Sequence, residues 1–295
     1  MSDSLVPGLY LVATPIGNLG DITLRALDIL KQADLIACED TRQTQKLLNH
    51  YGITTPTISC HEYNERERSL ELIEAIKKGS RIAIVSDAGV PGISDPGSVL
   101  VREAISAAVP VVPIPGANAA LSALIASGFS TEEFHFLGFL PEKAGARRTR
   151  LEALAAQTRE TPQTLVFYEA PHRIADTLAD MEMVFGGALR VVAARELTKL
   201  HEEFLRGTVA EIRVRLGERD RIRGEFVLLI EAPSNSAETL SLDQHKRESI
   251  SAQVKRLQSQ SGIDEKDALK RLARESGISK SELYRELQRE RAKRR

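Results

Sequence analysis

Three loops rich in glycine and proline constrain this chain more than any other feature. ATPIGN (residues 13–18), VSDAGVPGISDPG (85–97) and PIPGANAALSA (113–123) each lie at or just past the end of a short β-branched run. Such runs, alternating with helical periodicity, build a mostly parallel sheet covered on both faces. The pattern predicts strands at 9–13, 34–38, 81–85 and 109–114, and helices at 24–31, 42–51, 64–78, 98–107 and 117–127. In the helix 64–78, Leu70, Ile73 and Ile76 read as the apolar stripe.

The second half restarts the count, with strands expected at 134–137, 164–168, 189–195, 203–206 and 225–231 and helices at 145–157 and 172–185. Short turns in its last third favour some antiparallel pairing. Residues 233–241, PSNSAETLS, read as a polar linker. Three helical patterns follow, at 244–260, 264–276 and 279–291, with Gly262 and Gly277 at expected C-caps and Ser279 at an expected N-cap. The expected division is 1–116, 117–233 and a helical tail at 242–295.

Charge separates the tail from the body. The 295-residue chain carries 40 basic and 41 acidic side chains, yet from Asp243 onward 15 are basic and 9 acidic. The tail is therefore at +6 and the body at −7. Two cysteines, Cys38 and Cys60, cannot staple a fold this size, and a reducing cytoplasm is the expected compartment. The opening MSDSLVPG has neither a basic stretch nor an apolar core, so no secretory leader is expected. Residues 104–131 carry no charge, but Pro110, Pro113, Pro115 and Gly116 break the run, so it reads as buried strand, turn and helix rather than a membrane span.

The sequence lacks GxGxxG, GxxxxGK[ST], HExxH and GxSxG, and it has no spaced Cys/His set, so no metal is expected. What it offers is a ligand edge. Ligands of open parallel sheets bind beyond the carboxyl ends of the strands. Loops of small residues there let backbone groups come close to a flat or extended molecule. Asp87, at a strand end, could accept hydrogen bonds from a ribose or face a cation. Each loop read alone is also an ordinary tight turn with a capping aspartate.

TPIGNLGDIT (14–23), ACEDTR (37–42), the loops at 85–97 and 113–123, GFLP (138–141), YEAPHRI (168–174), RELTKLHEE (195–203) and GEFVLLI (224–230) resemble, in order and spacing, the tetrapyrrole-methylase-like methyltransferases, and within them the branch that acts on ribosomal RNA. The resemblance implies the two-domain α/β fold of that family, a class III methyltransferase, with a small helical domain at the C-terminal end. It implies S-adenosylmethionine as methyl donor in a cleft between the α/β domains, a homodimer, and no membrane. The implied product is a 2′-O-methylcytidine in the decoding centre of 16S rRNA, made on the small ribosomal subunit. Carried over position by position, the donor would meet Pro15, Ile16, Asp87, Ala88, Gly89, Val90, Ile93, Ala119, Ala120, Ser122, Tyr168 and Ala170.

A ribose hydroxyl is a weak nucleophile, so a positioned base could add ~10²–10⁴-fold. Asp40 and Arg42 in EDTR, Glu62 in HEYNE, and Glu196 and Lys199 in RELTK stand at loop edges as candidates. The expectation is that Glu196 or Lys199 assists deprotonation while Arg42 orients RNA. For each, a salt bridge or a helix cap is the competing reading, and Asp40 ahead of a helix is a good N-cap. Arg147, Arg148 and Arg150 crowd a helix N-terminus, where the dipole disfavours cations and a phosphate would explain them. Lys270, Arg271, Arg274, Lys293, Arg294 and Arg295 extend the RNA candidates into the tail. A methylase of small corrinoid precursors and a non-catalytic RNA-binding assembly factor are the alternative readings.

Overall fold

The computed structural model describes residues 5–158, 163–231, 254, 257–258, 264–276, 283–285 and 287, with the side chains of 274–276 excepted. Met1–Pro233 form one compact unit and Ser234–Arg295 a second.

The first sheet is built from β1 (Gly8–Val12), β2 (Leu35–Cys38), β3 (Thr57–Ser59), β4 (Arg81–Val85) and β5 (Val111–Ile114), in the order β3-β2-β4-β1-β5. Every pairing is parallel. Alternation along the strands sends side chains to two cores, as a sheet covered on both faces requires. Tyr10, Val12, Ile36, Cys38, Ala83 and Val85 meet α1 (Leu24–Gln32) and α2 (Thr41–His50) on one side. Leu9, Ala37, Ile82 and Ile84 meet α3 (Glu65–Lys77) and α4 (Ser98–Ser106) on the other. The buried stripe of α3 is Leu72, Ile73 and Ile76, whereas Leu70 is exposed. Leu70 lies two positions before Leu72, on the far side of a 100°-per-residue helix, and the core takes the other face.

The second sheet runs β6-β7-β10-β8-β9, from β6 (Phe134–Phe139), β7 (Thr164–Glu169), β8 (Arg190–Arg195), β9 (Glu203–Thr208) and β10 (Phe226–Glu231). Only β6 with β7 is parallel; the other three pairings are antiparallel. One face packs on α6 (Ala144–Thr158), α7 (Ile174–Phe185) and α8 (Val209–Gly217) through Leu165, Phe167, Val191 and Leu228. The short strand β3 and the helix α8 are not among the sequence expectations. Three residues carry too little periodicity for β3, and α8 announces itself only by the capping box of Thr208 with Glu211.

α5 (Ala119–Ser127) joins the halves. It leaves β5 of the first sheet, is capped by Asn118 Oδ1 accepting from the Leu121 N–H at 2.9 Å, and packs on the other face of the second sheet. Ala120, Ala123 and Leu124 share a core there with Val166, Val192, Ala194, Val227 and Leu229, and Ile16 of the first loop belongs to the same core. Truncating a fully buried leucine such as Leu124 costs about 2–5 kcal/mol.

In the second unit, α9 (Glu265–Ser276) buries Ala268, Leu269 and Leu272 with Val254, Leu257, Leu283 and Leu287. The expected linker at 233–241, the caps at Gly262, Gly277 and Ser279, and most of the first and third tail helices lie outside the described residues. Among the described residues no helix is long and apolar enough to cross a membrane. The uncharged run at 104–131 resolves into the end of α4, then β5 and α5.

Candidate functional site

Where the carboxyl ends of β1, β4 and β5 meet the second sheet, a cavity of about 470 Å³ opens. The three small-residue loops form its first wall, and local bonding explains their shape. Thr14 and Gly89 exchange backbone hydrogen bonds of 2.8 and 3.2 Å, clipping the first loop to the second. Gly89 holds φ +89°, and a Cβ there would stand 3.3 Å from Ile16 Cγ2. Glu65, buried on α3, accepts from the N–H groups of Gly97 at 2.8 Å and Val99 at 3.0 Å. It thereby anchors the far end of the second loop and satisfies donors at the start of α4.

The second sheet supplies the opposite wall through Tyr168, Ala170, Ala194, Phe226 and Val227. Tyr168 is braced edge-on by Phe136 and Phe139, at 4.9 and 5.7 Å between ring centres. Burial raises its phenol pKa, and the Ala120 backbone lowers it by less.

Of the residues expected to meet a donor, Ile16, Asp87, Ala88, Gly89, Val90, Ile93, Ala119, Tyr168 and Ala170 line this cavity. Pro15, Ala120 and Ser122 do not; Ala120 is turned into the core beneath it. Asp95, Asn118, Phe139, His172, Glu225 and Phe226 also line it and were not singled out by sequence. GEFVLLI marks the strand that starts at Phe226 with Glu225 just before it, but nothing in it says which side chains face a ligand.

Acidic groups gather at one end. Burial, then neighbouring carboxylates, raise Asp87, while the Asp40 N–H, 3.3 Å from its Oδ1, opposes the shift. Glu39 is pushed up to about 7, first by the adjacent Asp95 carboxyl and then by burial.

At the other end Lys199 reaches the cavity, its Nζ 2.8 Å from Glu196 Oε1 and 3.0 Å from Glu225 Oε2. Burial works against its charge, but the two carboxylates outweigh burial and hold the ammonium above the usual lysine range. The turn presenting it is strained: Glu196 and Thr198 have φ of +51° and +65°. Such backbone costs about 1–3 kcal/mol per residue and persists where surroundings dictate it. Here they do. Gly17 lies flat on the lysine stem, where a Cβ would fall 2.3 Å from Lys199 Cγ, and Gly224 lies equally close to Glu196 Cγ. The Asn18 N–H donates to Thr198 Oγ1 at 3.1 Å.

Asp40 and Arg42 stand apart from the cavity lining. Asp40 caps α2, and its carboxylate holds the exposed Arg42 at 2.8 Å, so the cap reading describes it. Arg42 lies on a separate shallow groove with Gln45, Lys46 and Asn49. Glu62 is exposed and off the cavity.

The arginine cluster departs from expectation. Arg147 is only 4% exposed, with its Nε 2.7 Å from Asp180 Oδ2, and Arg148 Nε takes the other oxygen at 2.8 Å. A buried carboxylate, not a phosphate, explains their place at the start of α6; Arg150 alone of the three is exposed without an ion pair among the described residues. On α9, Lys270 and Arg271 are exposed, while the side chain of Arg274 and all of Lys293, Arg294 and Arg295 lie outside the described residues.

Residues 8–213 match the family model described as Tetrapyrrole (Corrin/Porphyrin) Methylases. A protein of Halalkalibacterium halodurans named Ribosomal RNA small subunit methyltransferase I is 48% identical over 88% of this chain and 92% of its own length. A protein of the same name from Pasteurella multocida is 53% identical over 76% of this chain and 78% of its own. The crystal structure of the methyltransferase CobJ superposes with a TM-score of 0.58 at 17% identity, covering 76% of this chain and 94% of that one, which is a likeness of fold.

Proposed function

Because the chain belongs to the tetrapyrrole (corrin/porphyrin) methylase family, we propose that it methylates ribosomal RNA of the small subunit, at the ribose 2′-hydroxyl of a cytidine in the decoding centre of 16S rRNA. The methyl donor of such enzymes is S-adenosylmethionine. The observation carrying the reading is the cavity itself, where three backbone-lined loops face a side-chain wall that ends in a lysine held between carboxylates. The names of the relatives direct that chemistry to ribosomal RNA.

The residues present suit the donor. A cavity of about 470 Å³ falls within the range of small-ligand pockets. Ile16, Val90 and Ala119 offer apolar walls to a purine, and the Asp87 carboxylate can accept from ribose hydroxyls or face an ammonium. The donor presents a methyl carbon on a sulfonium, open to in-line displacement. Alignment and desolvation are then the protein's main tasks, and proximity alone supplies ~7–11 kcal/mol.

Lys199, kept cationic by Glu196 and Glu225, is a donor rather than a base. In this reading its remaining N–H would orient the acceptor oxygen and Glu225, exposed at the rim, would take the hydroxyl proton; a bound donor would supply the methyl group, the C–O bond forming as the C–S bond breaks and its electron pair leaves on sulfur as a neutral thioether. Glu196 positions Lys199. Arg42, on its outer groove, contacts RNA without touching the reacting atoms, and Asp40 holds it. Arg150, Lys270, Arg271, Arg274 and the terminal Lys293, Arg294 and Arg295 remain the other proposed RNA contacts. A homodimer acting in the cytoplasm completes the proposal; the exposed Leu121 and Ile125, one turn apart on α5, form a surface that a second copy would cover.

The test is incubation of the purified protein with radiolabelled S-adenosylmethionine and small ribosomal subunits lacking the modification, followed by mapping of labelled nucleotides. Label in one ribose-methylated cytidine of the decoding centre is the expected result. Donor binding without label in RNA would overturn the acceptor assignment and direct the search to small-molecule acceptors.

A further inference from the structure

The arginines of the second half are largely neutralised. Arg147 and Arg148 share Asp180, Arg190 takes Glu231, Arg195 and Arg219 converge on Glu203, and Arg213 takes Glu182. Arg150 and Arg215, exposed on α6 and α8, form no ion pair among the described residues, and the connection from α8 to β10 adds two more beside the cavity. Arg221 and Arg223 are exposed there, and neither guanidinium has an ion-pair or hydrogen-bond partner among the described residues.

Yet the backbone carrying them is fixed. Arg219 at its start forks onto Glu203 with bonds of 2.9 and 2.6 Å. Between the two arginines Ile222 packs against the hydrophobic core, so residues 221 and 223 point away from it. The Arg223 carbonyl accepts from Arg195 Nε at 3.1 Å, and Gly224, at φ +87°, closes against Glu196. The next residues, Glu225 and Phe226, line the cavity. At ~3.8 Å between successive Cα atoms, the Arg223 backbone is within about 8 Å of that of Glu225.

A guanidinium matches phosphate geometry with two parallel N–H groups. We propose that Arg221 and Arg223 hold backbone phosphates flanking the nucleotide whose ribose enters the cavity. This rests on the RNA-methyltransferase reading above. Asp220 precedes them, so the segment is a pair of point contacts that sets register and not a broad basic patch. It gives the acceptor a grip beside the reacting centre, a task the buried Arg147 cannot perform.

The experiment compares wild type, the double variant R221Q/R223Q, the double variant R221K/R223K, and a charge-matched control, K31Q/R102Q, whose exposed side chains lie on α1 and α4. Calorimetric binding of S-adenosylmethionine, expected unchanged in all four, verifies the fold. With undermethylated small subunits, R221Q/R223Q is expected to raise KM ~10-fold or more while kcat stays within about twofold. Its plot of log kcat/KM against log salt should flatten by roughly 1.4, about 0.7 for each single-strand phosphate that is no longer neutralised. R221K/R223K should recover the salt slope but only part of the KM, since lysine keeps the charge without the fork. A glutamine variant matching the control in KM and salt slope overturns the proposal while leaving RNA methylation standing. A wild type that puts no label into RNA removes both, and that outcome is visible before any variant is made.

Discussion

The two sheets build one cavity by unlike means. The parallel sheet offers main chain: small residues, a loop-to-loop clip between Thr14 and Gly89, and little side-chain chemistry beyond Asp87 and Asp95. The largely antiparallel sheet offers side chains: Tyr168, Lys199 with its two carboxylates, and Phe226. Parallel strands end together at one edge and turn into helices, so their loops can converge on a ligand through backbone. Antiparallel strands return at every turn, bringing residues at the ends of strands distant in sequence, such as Glu196 after β8 and Glu225 before β10, to the same rim. On the proposed function this contrast becomes a division of labour, with the first half chiefly holding the donor and the second chiefly handling the acceptor.

Four variants break or sharpen that division. The largest effect tests whether the second wall needs a rigid support. Arg147→Ala leaves the buried Asp180 with only the half-exposed Arg148, which should cost about 3–5 kcal/mol. Denaturant unfolding monitored by circular dichroism measures it, and the salt dependence of RNA binding should not move. A stability loss under about 1 kcal/mol would contradict the buried pairing.

Next, Lys199→Met should lower methyl-transfer kcat by ~10²-fold, about 2.7 kcal/mol, with donor affinity unchanged within about threefold. Equal loss of donor binding would erase the distinction between the halves. Conversely, Gly89→Val forces a branched side chain into left-handed backbone against Ile16, which costs at least ~1–2 kcal/mol. Donor affinity by calorimetry should fall ~10-fold. If affinity holds and only turnover falls, the first half does more than bind.

The smallest effect concerns pH. Glu39 keeps its proton to about 7 in the fold, against the usual 4.5. Between those values the native state binds the extra proton, so this stabilisation is complete below about pH 4.5 and is lost as pH rises through about 7. Glu39→Gln, neutral throughout, should therefore show a Tm that declines less than wild type from about pH 5 to pH 8. Superposable curves would show that Asp95 does not press on Glu39.

The first sheet was largely legible because its periodicity and its Gly/Pro punctuation are local signals: β4 falls at 81–85, where the sequence places it, and the three loops line the cavity as the strand-end rule predicts. What escaped is non-local. Arg147 looks like a phosphate ligand until Asp180, 33 residues on, arrives beside it. Ala120 sits in a loop expected to touch the donor, but one position of helical rotation turns it inward while Ala119 faces the cavity. Glu225 could not be singled out from its own segment, because what marks it is the lysine 26 residues earlier.

The core shared by α5, Ile16 and the second sheet has a consequence for how the molecule comes apart. Residues on both sides of Gly116 bury one another, so opening either half exposes apolar surface of both, and the body up to Pro233 should melt as a single cooperative foldon. A fragment ending at Gly116 would lack the surface that covers Ile16, and one beginning at Ala117 would carry α5 without the strand that positions it. In hydrogen-exchange terms, the slowest amides of β1 and β10 should share one protection free energy, although they lie in different sheets.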